Sequence, residues 1–215
     1  MSDESLKSAA RDVRYLVDRG YPKESSVRFV SDHYRLPEAA RFVLSRVVVA
    51  SEVAESRRIK AVSLESLRDR ELFIDGYNVI ITTESLLGLR PVYRCDDGFL
   101  RDAEGIFRSY RTSDLTGHAI SEVLDLVSSG SPARSVVLLD KQISLSGELA
   151  SLIRRMMDLR SLPGTAEAVR DVDGQLKAAQ GVVATGDGNI IDSAREVIDL
   201  PCQVARMHHI RPMTI

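Results

Sequence analysis

The sequence predicts an α/β fold, a mainly parallel sheet with helices on both faces, joined to an N-terminal all-α module. Three observations predict it. Short apolar runs at Leu72–Ile74, Ser135–Leu139 and Val182–Thr185 each stop at or just before an aspartate, as buried strands do where they meet a loop. Helical spacings fill the intervals between those runs, and alternation of strand and helix implies parallel pairing. The first sixty residues instead carry apolar side chains at spacings of three and four, punctuated by Gly20, Pro22 and Pro37.

Within residues 1–60, Leu6, Ala9, Ala10, Val13, Leu16 and Val17 form one face of a helix that ends at Gly20, a natural position for a residue just past a helix. Pro22 opens a second helix with Val27, Phe29, Val30 and Tyr34, since a first turn tolerates proline. A third follows Pro37 and runs from Glu38 to Ser51, where Ala39, Ala40, Phe42, Val43, Leu44, Val47 and Val48 give a broad apolar surface. The second and third helices have the order of a helix-turn-helix, but the would-be reading helix lacks Asn and Gln. A packing or self-association element is the better expectation, which allows a homo-oligomer through these helices. The stretch Glu52–Arg70, with Arg57, Arg58 and Lys60, reads as a polar connector with some helix, and 61–70 as the linker.

The α/β domain is expected over 71–215. Helical patterns span Asn78–Leu87, Ser113–Ser128, Gly147–Leu159, Val172–Ala179 and Asn189–Val197, and weaker strand candidates lie at Ala166–Arg170 and Gln203–Arg206. Ligands of such sheets bind beyond the carboxyl ends of the strands.

Composition narrows the function. With 215 residues, 44% hydrophobic content, 5% aromatics and no Trp, the chain supplies a sizeable core but little for a carbohydrate-stacking surface. Cys95 and Cys202 form no C-x-x-C pair, and no apolar run reaches transmembrane length, so a cytoplasmic protein without membrane contact is expected. The net charge of −2 is uneven: residues 1–70 hold 14 basic and 11 acidic side chains, and residues 71–215 hold 15 and 20. An acidic domain binds a polyanion poorly unless cations offset its carboxylates. Phosphate-binding glycine loops and the G-x-S-x-G elbow are absent, and adjacent His208 and His209 lack the spacing of a helical zinc pair.

Asp75, Asp140 and Asp187 carry the chemistry. On neighbouring parallel strands the three carboxylates converge and repel, which calls for a hard cation such as Mg²⁺ or Mn²⁺. Asp192, about one helical turn after Asp187, is a further candidate ligand. A single strand-end aspartate is commonly only a helix cap, so the weight rests on the threefold repetition.

The run Phe73-Ile74-Asp75-Gly76-Tyr77-Asn78-Val79-Ile80 resembles the opening of the PIN and NYN nuclease domains, Val137–Asp140 is similar to their second strand-end motif, and Val182–Asp187 to their third. The resemblance implies a PIN-like fold and metal-dependent hydrolysis of RNA, with Asp75, Asp140 and Asp187 as ligands and Asn78 positioning a ligand or the substrate. These nucleases often add an acid between the first two anchors, for which Asp97 or Asp102 is the candidate here, with Asp96 as a turn cap. Asp114, Glu122, Asp171 and Asp173 read as surface or capping acids. A short helical module before a PIN-like domain also resembles an uncharacterised archaeal family, from which no function carries over.

Two alternatives stand beside the nuclease. Thr185–Asp192 resembles the last motif of haloacid-dehalogenase-like phosphatases, but aligning Asp75 with their second acid places Phe73 at the nucleophile. A PIN-like domain without turnover, acting as an RNA- or protein-binding module, is the other.

Overall fold

The computed structural model describes residues 3–103 and 110–215. Four helices come first: α1 (Asp3–Val17), α2 (Lys23–His33), α3 (Glu38–Val47) and α4 (Ser51–Ile59). After a 3-10 turn at Leu64–Leu67 come β1 (Glu71–Asp75), α5 (Gly76–Leu87), β2 (Val92–Arg94) and β3 (Leu100–Asp102). The remainder runs α6 (Asp114–Gly130), β4 (Arg134–Asp140), α7 (Ser146–Asp158), β5 (Gly164–Val169), α8 (Val172–Ala178) and β6 (Val182–Ala184), then α9 (Gly188–Ser193), β7 (Val197–Ile198) and α10 (Leu200–Met207).

The chain divides into two units, described by their residues outside 104–109. One draws on 1–59, 91–105 and 212–215, and the other on 60–90 and 106–211. The boundary therefore differs from a cut in the connector, because the hairpin β2–β3 belongs with the N-terminal helices. Tyr93 and Cys95 share a core with Val13, Val30, Leu44 and Val48. The hairpin is closed by Gly98 at φ +88° and extended on one side by residue 213, which exchanges main-chain hydrogen bonds with Val92 and Arg94. It also changes the charge of the helical unit: 13 basic side chains now face 13 acidic ones, so the positive excess of residues 1–70 is gone.

The second unit is the α/β domain. All five strands of its sheet are parallel, in the order β5-β4-β1-β6-β7, with β1 in the middle. Its core gathers Leu72, Ile74, Val79, Ile120, Leu139, Ile153 and Val182, so helices α5, α6 and α7 each present an apolar stripe to the sheet. After β1 the chain steps outward through β4 to β5, then returns by α8 to the opposite side of β1 at β6. The neighbours β1 and β6 are thus the switch point, where the loops leaving them diverge and open a crevice. Gly76 is required just beyond β1, since a Cβ there would lie 2.8 Å from the Leu138 carbonyl and 2.6 Å from Leu139 Cδ2.

Two sequence expectations are overturned. The helical pattern Asn189–Val197 stops at Ser193, and Val197 instead pairs with Val183 as the start of β7. Gln203–Arg206, a weak strand candidate, lies inside α10: Asp199 caps it by accepting from the Cys202 N–H, Pro201 occupies its first turn, and Leu200, Val204 and Ala205 are buried at helical spacing. His208 follows as that helix's cap rather than in a strand. No helix among the described residues is long and apolar enough to cross a membrane.

Candidate functional site

Strand register sets the three expected aspartates at one edge. Asp75 pairs with Leu138 of β4, and Ile74 with Ala184 of β6. Asp140 and Asp187 therefore each stand two residues beyond the level of Asp75, on opposite sides of it.

Asp75 and Asp187 share one hydrogen-bonded structure. Thr185 Oγ1 donates to Asp75 Oδ2 at 2.8 Å and accepts from the Asp187 N–H at 3.0 Å. Asn78 Oδ1 accepts from the Gly186 N–H at 2.7 Å, so the first turn of α5 holds the loop that carries Asp187. The Asp187 carboxylate caps α9 by accepting from Asn189 and Ile190 N–H groups. The capping role anticipated for a lone strand-end aspartate is thus real for Asp187, and it leaves the carboxylate beside Asp75.

Asp75 is 8% exposed. Burial pushes its carboxyl up to about 7; the Thr185 hydrogen bond opposes this, the Asp187 charge reinforces it, the Asn78 N–H opposes it and Asp173 again reinforces it. Asp173, read from sequence as an ordinary surface acid, is therefore part of this electrostatic environment, brought there by the crossing of α8 between β5 and β6.

Asp140 faces differently. Its Oδ1 accepts from the Gln142 N–H at 2.8 Å, and its charge, after burial, helps push the Tyr77 hydroxyl up to about 12. Among the described residues no three His, Cys, Asp or Glu side chains are grouped to hold a metal ion. The structure brings Asp75 and Asp187 together, with Asp173 adding its field, and leaves Asp140 on the Tyr77 side.

The remaining candidates sit elsewhere. Asp192 is exposed near the end of α9, where Lys60 Nζ holds its carbonyl and that of Ile191. Asp97 belongs to the helical unit and is not a spare ligand. Its fully buried carboxylate receives Arg101 at 2.7 and 2.9 Å and Arg57 at 2.9 Å. Burial alone would raise it, but the two guanidiniums hold it below the usual carboxylate range. Asp102 is buried on β3 in that same unit. Asp96 is not the local turn cap expected of it: its carboxylate accepts from the distant Val49 N–H and from a bidentate Arg14, and it is Asp97 that accepts from the nearby Phe99 N–H.

An all-oxygen donor set with one desolvated carboxyl fits a hard divalent cation, which commonly uses one or two carboxylates plus waters and substrate phosphate. Asp75 and Asp187 would hold it.

A second feature had no sequence signal. A cavity of about 620 Å³ lies beside the same strand ends, lined by Tyr77, Tyr110, Arg111, Gln142, Ser144 and Leu145 among others. Its aromatic wall is braced from behind: the Tyr110 hydroxyl bonds Thr116 Oγ1 at 3.0 Å, and buried Glu84 accepts from Thr116 and Ser113 at 2.7 and 2.8 Å. A glutamate in an apolar helix gives no hint of these partners, which lie 29 and 32 residues away.

No solved structure matches this chain. A curated relative, the uncharacterised protein MJ0935 of Methanocaldococcus jannaschii, is 33% identical over 198 residues, covering 91% of this chain and 94% of the relative. Residues 5–60 match the model of DUF434, a protein of unknown function, and residues 64–203 match that of DUF5616, a domain of unknown function. Covered over most of its α/β unit and along nearly its whole length by these matches, the chain belongs to the DUF5616 family.

Proposed function

We propose that this protein is a cytoplasmic, metal-dependent ribonuclease that hydrolyses phosphodiester bonds of RNA at the β1–β6 switch point. One observation carries the reading: the desolvated Asp75 carboxyl, linked to Asp187 through Thr185, at the strand edge where open parallel sheets take their ligands. Buried acids that oppose each other's ionisation favour a bound cation. A Mg²⁺ or Mn²⁺ ion there would supply the positive charge that such a reaction needs at the phosphodiester. Asp75 and Asp187 would hold the cation, Thr185 bonds both residues, and Asn78 keeps the Asp187 loop in register. The two free cysteines suit a reducing compartment.

A binding module without turnover is the second reading, favoured by the lack of a three-acid group among the described residues. End-labelled single-stranded RNA, structured RNA and DNA, incubated with Mn²⁺, Mg²⁺ or EDTA, separate the two. Metal-dependent RNA cuts lost in Asp75→Asn and Asp187→Asn establish the nuclease. RNA retention without cuts in any metal establishes the module.

A further inference from the structure

We propose that Lys23, with the positive field of Arg57 and Arg101 beside it, binds a phosphate group on the helical unit. The inference is independent of the ribonuclease reading, since every residue it uses lies in the unit that lacks Asp75 and Asp187.

Lys23 opens α2 one helical turn before Val27, so the two residues share a face of that helix. Val27 and Val30 belong to one core with Tyr93 and Cys95 of the β2–β3 hairpin, which turns the Lys23 face toward the hairpin. Lys23 is accordingly half-buried, whereas Pro22, Glu24 and Ser25 around it are exposed. The hairpin and α4 bring the charges. Arg101 from β3 and Arg57 from α4 both donate to the buried Asp97 carboxylate, at 2.7 and 2.9 Å. The ionised groups that act on the Lys23 ammonium are these two guanidiniums and this one carboxylate. Burial, then the charges of Arg101 and Arg57, pull it down to about 8, with Cys95 and Asp97 opposing. Cys95 supplies no negative charge near neutral pH, because burial pushes its thiol up.

An ammonium drawn out of water without an acceptor is costly, and a field of its own sign raises the cost. Among the described residues the Lys23 ammonium has no hydrogen-bond or ion-pair partner. A bound anion removes both penalties. Phosphate suits these donors: lysine binds it as a compact point charge, and the second negative charge of the dianion answers the guanidinium field. The start of α2 adds to the attraction, since Pro22 offers no side-chain cap and the positive end of the helix dipole lies at Lys23.

The test is equilibrium binding of radiolabelled inorganic phosphate to the full chain in EDTA near neutral pH, where no metal ion can carry the anion. The wild type is expected to bind it saturably, and Lys23→Met, which keeps the length of the side chain without its charge, to bind about tenfold more weakly with an unchanged circular dichroism spectrum. Asp75→Asn should bind as the wild type does. Binding should weaken as pH rises beyond about 8, where the ammonium loses its proton. In the wild type, phosphate should also slow acetylation of Lys23 by acetic anhydride, read by peptide mass spectrometry, and leave exposed Lys177 unaffected. Absence of saturable binding, equal binding by Lys23→Met, loss in Asp75→Asn or unprotected Lys23 overturns the proposal. Displacement of the label by a 5′-phosphorylated RNA but not by its 5′-hydroxyl counterpart identifies the ligand as a strand end, equal displacement by both identifies backbone phosphate, and displacement by neither identifies a small phosphate compound.

Discussion

Asn78 Oδ1 accepts the Gly186 N–H at 2.7 Å, so an amide in the first turn of α5 pins a loop 108 residues further along the chain. Asn78→Ala leaves that N–H without its partner and is expected to cost about 1–2 kcal/mol in urea unfolding. Asn78→Asp keeps an acceptor oxygen but adds a negative charge near Asp75, so it should retain more stability at mildly acidic pH than at alkaline pH. Equal pH profiles for the two variants would show that the side chain acts through packing alone.

Asp75 makes the metal-free protein sensitive to pH. Its carboxyl ordinarily titrates near 3.8, but burial raises it to about 7 in the folded chain. Below the lower value both states hold the proton and the folded state bears no penalty. Between the two values only the unfolded chain releases it, so stability falls as pH rises. Above about 7 the folded chain carries the buried charge at full cost, on the order of a few kcal/mol. Urea unfolding in EDTA should therefore show a decline from about pH 4 to pH 7 that levels off above it, and Asp75→Asn should flatten it. Added Mn²⁺ is expected to restore stability mainly at the alkaline end.

Gly76 tests how closely β4 approaches the site. The Cβ of Gly76→Ala would sit 2.8 Å from the Leu138 carbonyl, which as backbone has little room to withdraw. A loss of about 1–3 kcal/mol is expected in chemical denaturation, together with weaker metal binding because Asp75 is the preceding residue. Unchanged stability would mean that the β1–β4 edge is looser than the register implies.

Asp97 supports the helical unit. Asp97→Ala leaves Arg57 and Arg101 largely buried without their shared counter-ion, and about 3–5 kcal/mol of destabilisation is expected in thermal or urea unfolding. Metal-dependent activity of the fraction that remains folded should match the wild type, since Asp97 belongs to the unit that lacks Asp75 and Asp187.

Much of the α/β unit was legible because its signals are local. An apolar run stopping at Asp75, Asp140 or Asp187 needs no partner to be read as a strand meeting a loop, and Ser113 announces α6 as a cap within its own turn. What stayed hidden depends on distant pairing. The three-residue strand Val92–Arg94 is too short for periodicity to reveal, and it pairs with residue 213 near the other end of the chain. The run Gln203–Arg206 looked like a strand because its helical character comes from a cap four residues earlier. Asp97 invited a ligand assignment since nothing nearby in sequence shows Arg57 beside it. Asp173 was discounted because only the return of α8 across the sheet puts its charge on Asp75.

The hairpin that joins the N-terminal helices sets an order of events during synthesis. Residues 1–59 leave the ribosome first, yet their unit lacks Val92–Asp102 until β1 and α5 have been made, and lacks residues 212–215 until all five strands of the sheet have emerged. Such long-range closure slows folding and leaves apolar surface exposed meanwhile. The part of the protein that is translated first is therefore the part completed last, and a ribosome-stalled chain ending before Pro91 would present α1–α3 with their apolar faces uncovered where Tyr93 and Cys95 belong.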